Sequence, residues 1–168
     1  IILGPRLSYL DFAGYQAIIY DKAALALFML KDLLGEEAFF EGLRNFYQSN
    51  LFRLTRTADF RRSLEETSGL DLKRFFQDWF YSEVLPEIKI KKKITVEPDQ
   101  IELELQVRQI KKPLFFPLKI MVETDRGSFV ENLILQNQEQ IFHLEFPGKL
   151  KRLEINPGHQ VPGKIEVS

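Results

Sequence analysis

The chain contains no cysteine, only two histidines and one tryptophan among its 168 residues, and its charges nearly cancel, with Lys+Arg 23 against Asp+Glu 24. Each scarcity excludes something. Without cysteine there is no disulfide, no thiolate nucleophile and no Cys-based zinc or iron–sulfur site, while the compartment stays open because cysteine-free proteins occur on both sides of a membrane. With only His143 and His159, a three-histidine metal centre is excluded too. A formal charge of -1 provides no long-range attraction to nucleic acid or to anionic lipid. Long apolar runs are also missing. The longest, Ala23 to Leu30, falls short of the ~20 residues that span a bilayer and is flanked by Lys22, Lys31 and Asp32, so no membrane span is expected. The chain opens on Ile1 with no basic, apolar and small-residue leader pattern, and it reads as a piece of a longer protein.

What is present is apolar and aromatic: 45% hydrophobic residues, with 15 Phe and 5 Tyr. A chain of this length and composition folds, burying roughly 70% of the surface it exposes when unfolded. Two periodicities divide it near Leu85-Pro86, helical before and strand-like after.

In the first half, Asp21 to Leu34 carries a broad apolar face of Leu25, Leu27, Phe28, Leu30, Leu33 and Leu34, which predicts a buried helix closed by Gly35. Glu36 and Glu37 place negative charge where a second helix dipole begins, and Phe39, Phe40, Leu43, Phe46 and Tyr47 follow at helical spacing. Thr57 is placed as the cap of a third helix, with Phe60 and Leu64 on its inner face and Ser68-Gly69 as its stop. Asp71 is placed as the cap of a fourth, whose Leu72, Phe75, Phe76, Trp79 and Phe80 demand a packing partner.

In the second half, Ile101, Leu103, Leu105 and Val107 alternate with Glu102, Glu104, Gln106 and Arg108, so one face is core and the other water. Leu118, Ile120 and Val122 repeat the pattern, Asp125-Arg126-Gly127 forms a hairpin turn, and 129–135 returns. Phe142, Leu144 and Phe146, then Leu153 and Ile155, supply further strands. About six short strands without intervening helix predict an antiparallel sandwich. The fold class is α+β, with a four-helix segment over 1–84 and a β-sandwich over 85–168.

Few side chains here can react. His143 lies on the polar face of its strand and His159 in the turn-rich run from Pro157 to Gly163. Neither shares ligand spacing with a third group, so both are read as surface histidines without a role. Lys89, Lys91, Lys92 and Lys93 read as the lysine protection of an edge strand rather than a phosphate-binding patch. The aromatic cluster around Trp79 reads as core. Tyr20 remains: a phenol at the start of a long helix, which can serve structure or donate a hydrogen bond into a cleft.

Four stretches, read in order, resemble the zinc aminopeptidases of the aminopeptidase N type, gluzincins that include leukotriene hydrolase. Tyr20-Asp21-Lys22-Ala23, followed by an apolar helix, is similar to the family's Tyr-x-Lys-Gly segment. Leu34-Gly35-Glu36-Glu37-Ala38-Phe39 resembles its Leu-Gly-(Asp/Glu)-Glu-Ala-Phe hairpin, and Thr57-Ala58-Asp59-Phe60 its Thr-x-(Asp/Glu)-(Asp/Glu)-Phe helix start. Phe75-Phe76-Gln77-Asp78-Trp79, running on to Leu85-Pro86, resembles its Phe-Phe-x-x-Trp passage into a β-sandwich. The match is specific over about residues 4–90. Ala23 stands where the family usually has Gly, and Val84 replaces the usual Gly before Leu-Pro.

The resemblance implies that 1–84 is the C-terminal helical part of a thermolysin-like catalytic domain and that 85–168 is an immunoglobulin-like sandwich. It implies a zinc cofactor and a peptide substrate for the intact protein, with Tyr20 as the catalytic donor to the transition-state oxyanion. The family's His-Glu-x-x-His zinc motif and Gly-x-Met-Glu-Asn amine-binding strand are absent from these 168 residues. The chain alone is therefore expected to bind no zinc and hydrolyse nothing. Its helical part is expected to expose an apolar face to the zinc-bearing half of the domain and so to self-associate in isolation. The rival expectation is a non-catalytic relative serving as a protein-interaction scaffold. A free-standing binding module is disfavoured because helices this aromatic need a partner.

Overall fold

A computed structural model describes residues 12–168, so the first eleven residues of the expected 1–84 helical segment lie outside the described residues. The chain divides into two compact units between Glu83 and Val84.

The first unit opens with α1 (Phe12–Gln16), which continues without a break through a π-helical turn (Ala17–Lys22) into α2 (Ala23–Leu34). Tyr20 thus lies inside a continuous helical run and not at a helix start. Gly35, at φ 81°, closes α2, and its N–H donates to the Lys31 carbonyl at 2.9 Å. α3 (Glu36–Ser49), α4 (Thr57–Ser68) and α5 (Lys73–Trp79) follow, so the described residues hold one α-helix more than the four expected.

The caps differ in detail from expectation. Thr57 is the first residue of α4 and not its cap. The cap position is Arg56, whose N–H donates to Asp59 Oδ2 at 2.9 Å, so the acidic side chain reaches back to a backbone donor that the helix cannot satisfy. Asp71 acts one residue ahead of the assigned cap, Leu72, its Oδ1 accepting from the Lys73 N–H at 2.9 Å.

α3 and α4 approach closely at Gly42. A Cβ there would stand 2.7 Å from Leu64 Cδ2, and Ser63 Oγ donates to the Gly42 carbonyl at 2.9 Å. From that contact an aromatic chain runs inward: Phe46 meets Phe60 at 5.3 Å between ring centroids, Phe60 meets Phe76 at 5.9 Å, and Phe76 stacks on Phe80 at 4.4 Å. Phe75, Phe76 and Trp79 are buried, as the aromatic stripe of the last helix requires.

α2 is not buried all round. Ala26, Met29 and Leu30 are enclosed, but Leu27 and Phe28 remain 37% and 49% exposed. The breadth of its apolar face exceeds what the described residues of this unit can cover.

The second unit contains two sheets. One has the order β5-β2-β1-β7 and the other β4-β3-β6, from β1 (Glu87–Val96), β2 (Gln100–Gln109), β3 (Phe116–Thr124), β4 (Gly127–Leu135), β5 (Glu139–Pro147), β6 (Leu150–Ile155) and β7 (Lys164–Val167). Ile101, Leu103, Leu105 and Val107 of β2 and Leu118, Ile120 and Val122 of β3 are buried, which is the alternation the sequence displays. Phe129 of β4 meets Phe146 of β5 at 5.6 Å, joining the two sheets through one core. Asp125-Arg126 turns the chain between Thr124 and Gly127, the last pair of the β3–β4 hairpin.

Two features depart from the antiparallel reading. β7 pairs with β1 in parallel, Glu87 opposite Lys164 through Ile90 opposite Val167. In consequence β1 is an inner strand over that stretch and Lys89 does not mark an edge, its Nζ standing 3.5 Å from Glu166 Oε2 on the neighbouring strand, whereas Lys91, Lys92 and Lys93 lie beyond the register of β7. Gly163 admits β7 to this position. It sits at φ 114°, where a Cβ would collide with the Pro86 carbonyl oxygen, and that oxygen accepts from the Lys164 N–H at 3.0 Å.

Two buried amides brace the connections. Gln109 Nε2 donates to the Leu114 carbonyl at 3.0 Å while its Oε1 accepts from the Leu114 N–H at 2.9 Å. Asn156 makes the same two-point clasp on Val161, at 3.0 and 2.9 Å. Each buried polar side chain thereby replaces the water it gives up.

Candidate functional site

The site is built on the π-helical turn. An i→i+5 turn inserts an extra residue into a helix and re-aims the side chains it carries, and such turns recur at functional positions. Here the turn carries Tyr20, which is 61% exposed, and the Ala23 N–H donates to the Tyr20 carbonyl as α2 resumes.

Lys22, two residues on, turns the opposite way. It is half-buried, and its Nζ donates to the Ser82 carbonyl at 2.7 Å, just beyond α5. Burial pushes its pKa down from the ordinary lysine value, and the Glu83 carboxylate opposes that shift. Residues two apart on a helix lie on nearly opposite sides, so anchoring Lys22 inward leaves the Tyr20 phenol outward.

Below Tyr20 on the same face are Ala24, Leu27 and Phe28, at the i+4, i+7 and i+8 positions, and all are exposed. The face therefore offers one phenolic donor above a strip of apolar surface. A phenol can donate to a developing oxyanion, and apolar walls exclude the water that would compete for that hydrogen bond.

Neither histidine is part of this face. His143 lies on β5 with Nδ1 3.8 Å from Glu104 Oε2 and a side chain 73% exposed. His159 sits in the turn Pro157–His159 at φ 52°. Among the described residues no three His, Asp or Glu side chains cluster closely enough to hold a metal ion. The groups described do not fit a zinc site.

Sequence reasoning missed two things about this site, the π geometry and the inward anchor of Lys22. The first has no sequence signature, because Ala17-Ile18-Ile19-Tyr20 carries nothing that distinguishes a π turn from an α turn. The second had a faint one: a lysine two residues from an outward tyrosine must face the other way.

A model of the family described as Peptidase family M1 domain matches residues 12–79, the segment holding Tyr20, Lys22 and the five α-helices of the described residues. The chain is 41% identical over 66 residues to aminopeptidase N of Streptomyces lividans, a match covering 39% of this chain and 8% of that protein. It is 26% identical over 123 residues to aminopeptidase N of Escherichia coli K12, covering 69% of this chain and 14% of that one. Among solved structures, the aspartic acid complex of Legionella pneumophila aminopeptidase A superposes with a TM-score of 0.71 at 22% identity, covering 92% of this chain and 18% of its own. The chain thus spans a small part of the proteins it matches. The matched segment coincides with the motifs at Tyr20, Gly35, Thr57 and Trp79, and over that segment the chain is similar to the M1 aminopeptidases.

Proposed function

We propose that this chain is the C-terminal part of a zinc aminopeptidase that removes N-terminal residues from peptides. In this reading 1–84 forms the helical end of a thermolysin-like catalytic domain and 85–168 an immunoglobulin-like sandwich beside it. The observation that supports it most is the place of Tyr20: outward on a π turn, inside the segment matched to the M1 peptidase domain, above a partly exposed apolar strip.

The zinc would be supplied, with its ligands, by another part of the protein. The strip beside Tyr20 would dock against that part. Tyr20 would donate its hydroxyl hydrogen to the oxyanion that forms as water attacks the peptide carbonyl. A donor directed at charge that exists only in the transition state raises turnover and leaves ground-state binding alone. The chain by itself would then be inactive.

The test is Tyr20→Phe in the full-length protein, assayed on an aminoacyl anilide. Turnover should fall about 10²–10³-fold, the usual loss for one oxyanion donor, with KM and zinc content unchanged. Equal turnover in the variant would refute the assignment. A full-length sequence lacking His-Glu-x-x-His would refute the enzyme reading itself.

A further inference from the structure

We propose that Lys22 is a positioning residue whose ammonium, bonded to the Ser82 carbonyl, pins the π-helical turn that presents Tyr20. The proposal rests on the reading of Tyr20 as an oxyanion donor, and it adds what holds that donor in place.

The π turn needs holding. π turns are rare and occur as single-turn interruptions of α-helices, and no side chain caps this one at Gln16. Left to itself, the run from Ala17 to Lys22 can relax towards α geometry, which shifts the extra residue and rotates the phenol about the helix axis. An oxyanion donor tolerates little of this, because a displacement of about 1 Å can cost about 10²-fold in rate.

The contact Lys22 makes is suited to prevent it. Its acceptor lies 60 residues away in sequence, so the bond ties the turn to a distant part of the same unit rather than to its own helix. Ser82 lies three residues beyond the end of α5, which Phe75, Phe76 and Trp79 fix in the core at 0–1% exposure. The anchor is thus attached to a segment that adjoins the buried core of the unit.

The lysine itself points to a specific role. Its aliphatic stem packs while its charge is half-withdrawn from water, an arrangement tolerated only when the ammonium finds a partner. Because Lys22 and Tyr20 are two residues apart, drawing one inward sets the azimuth of the other.

Two measurements test the proposal. In the full-length protein, Lys22→Met removes the donor and keeps the stem. It should lower kcat about tenfold with KM within about twofold, Lys22→Arg should recover most of the loss, and Lys22→Met should cost nothing further in a Tyr20→Phe background. A loss confined to KM, or a full additional loss in the Tyr20→Phe background, overturns it. Should Tyr20→Phe alone leave kcat intact, the donor reading fails independently of the anchor.

The second measurement needs no activity. In this chain, residue-resolved amide exchange at Tyr20 to Ala23 should quicken about tenfold in Lys22→Met and revert in Lys22→Arg, with α3 and α4 unchanged. Unaltered exchange at the turn, or quickening spread through α3 and α4, overturns the anchor.

Discussion

The two units of this chain differ in how completely each encloses its own apolar surface. In the two-sheet unit the large residues left exposed are isolated aliphatics such as Val96, Val130 and Ile141, and no aromatic is among them. In the helical unit they include Phe12, Tyr20, Phe28, Phe40, Tyr47, Phe52 and Tyr81. Scattered single exposed apolar residues are normal, so it is their concentration in one unit that distinguishes the two. A unit with a closed core contributes its own stability; in the proposed reading the unit with an open face completes its core against another part of the protein.

The largest expected effect lies in the closed core. Leu105 is fully buried at the centre of β2, so Leu105→Ala should destabilise the two-sheet unit by about 2–5 kcal/mol through lost burial and the cavity left behind. The chain has only two methionines, Met29 in the helical unit and Met121 on β3, so methyl NMR during denaturation reads each unit separately. A smaller cost at Met121 would mean that this core is looser than its burial indicates.

Next comes the open face. Replacing Leu27 and Phe28 by lysine should weaken self-association at least tenfold by sedimentation, while changing stability by no more than about 0.5 kcal/mol, as expected of exposed positions. The matched control is Val130 and Ile141 replaced by lysine, exposed on the two-sheet unit, where association should not change. Equal effects from both pairs would erase the distinction between the units.

Third is the closest helix approach. Alanine at Gly42 gains about 1 kcal/mol of helix propensity, but its Cβ meets Leu64 Cδ2 at 2.7 Å and Thr67 Oγ1 at 2.8 Å. Overpacking of this kind costs about 1–3 kcal/mol, so the net should be a loss of about 1 kcal/mol, read by the fluorescence of Trp79, the only tryptophan and a reporter of the helical unit alone. A gain would show that Leu64 and Thr67 can move aside.

Much of this architecture is legible in the sequence, and the reason is periodicity. β2 alternates strictly between core and solvent, and α3 and α5 repeat their aromatics at helical spacing, so pattern alone locates them. What pattern cannot supply is pairing. β7 has only Ile165 and Val167 to announce it, and its parallel seat beside β1 depends on Gly163 making room at the Pro86 carbonyl, a contact between residues far apart in the chain. The same holds at the site. Tyr20 is legible through the stretch that resembles a family motif, whereas the π turn and the Lys22–Ser82 bond depend on three-dimensional packing. The burial predicted for α2 holds for Ala26, Met29 and Leu30 but not for Leu27 and Phe28, because the breadth of an apolar face does not show that everything covering it lies within the same unit.

The smallest effect concerns charge at a helix start in the helical unit. Asp71 accepts the Lys73 N–H and stands 3.5 Å from Lys73 Nζ, and the backbone hydrogen bond, ahead of the nearby cation, holds its carboxyl below the ordinary value of 3.8. Because the folded state keeps this carboxylate ionised to lower pH than the unfolded chain does, its contribution is complete above the unfolded pKa and is lost as pH falls through the folded one. Asp71→Ala should therefore lower the helical unit's stability slightly at pH 7, and the gap between variant and parent should close as the pH drops below about 4. Trp79 fluorescence titrated across pH 2 to 7 measures that gap directly. Since Asp71 is fully exposed, water and salt screen its interactions, and the gap should also narrow with added salt. A gap that persists at pH 2 would assign the residue's contribution to the turn conformation it favours and not to its charge.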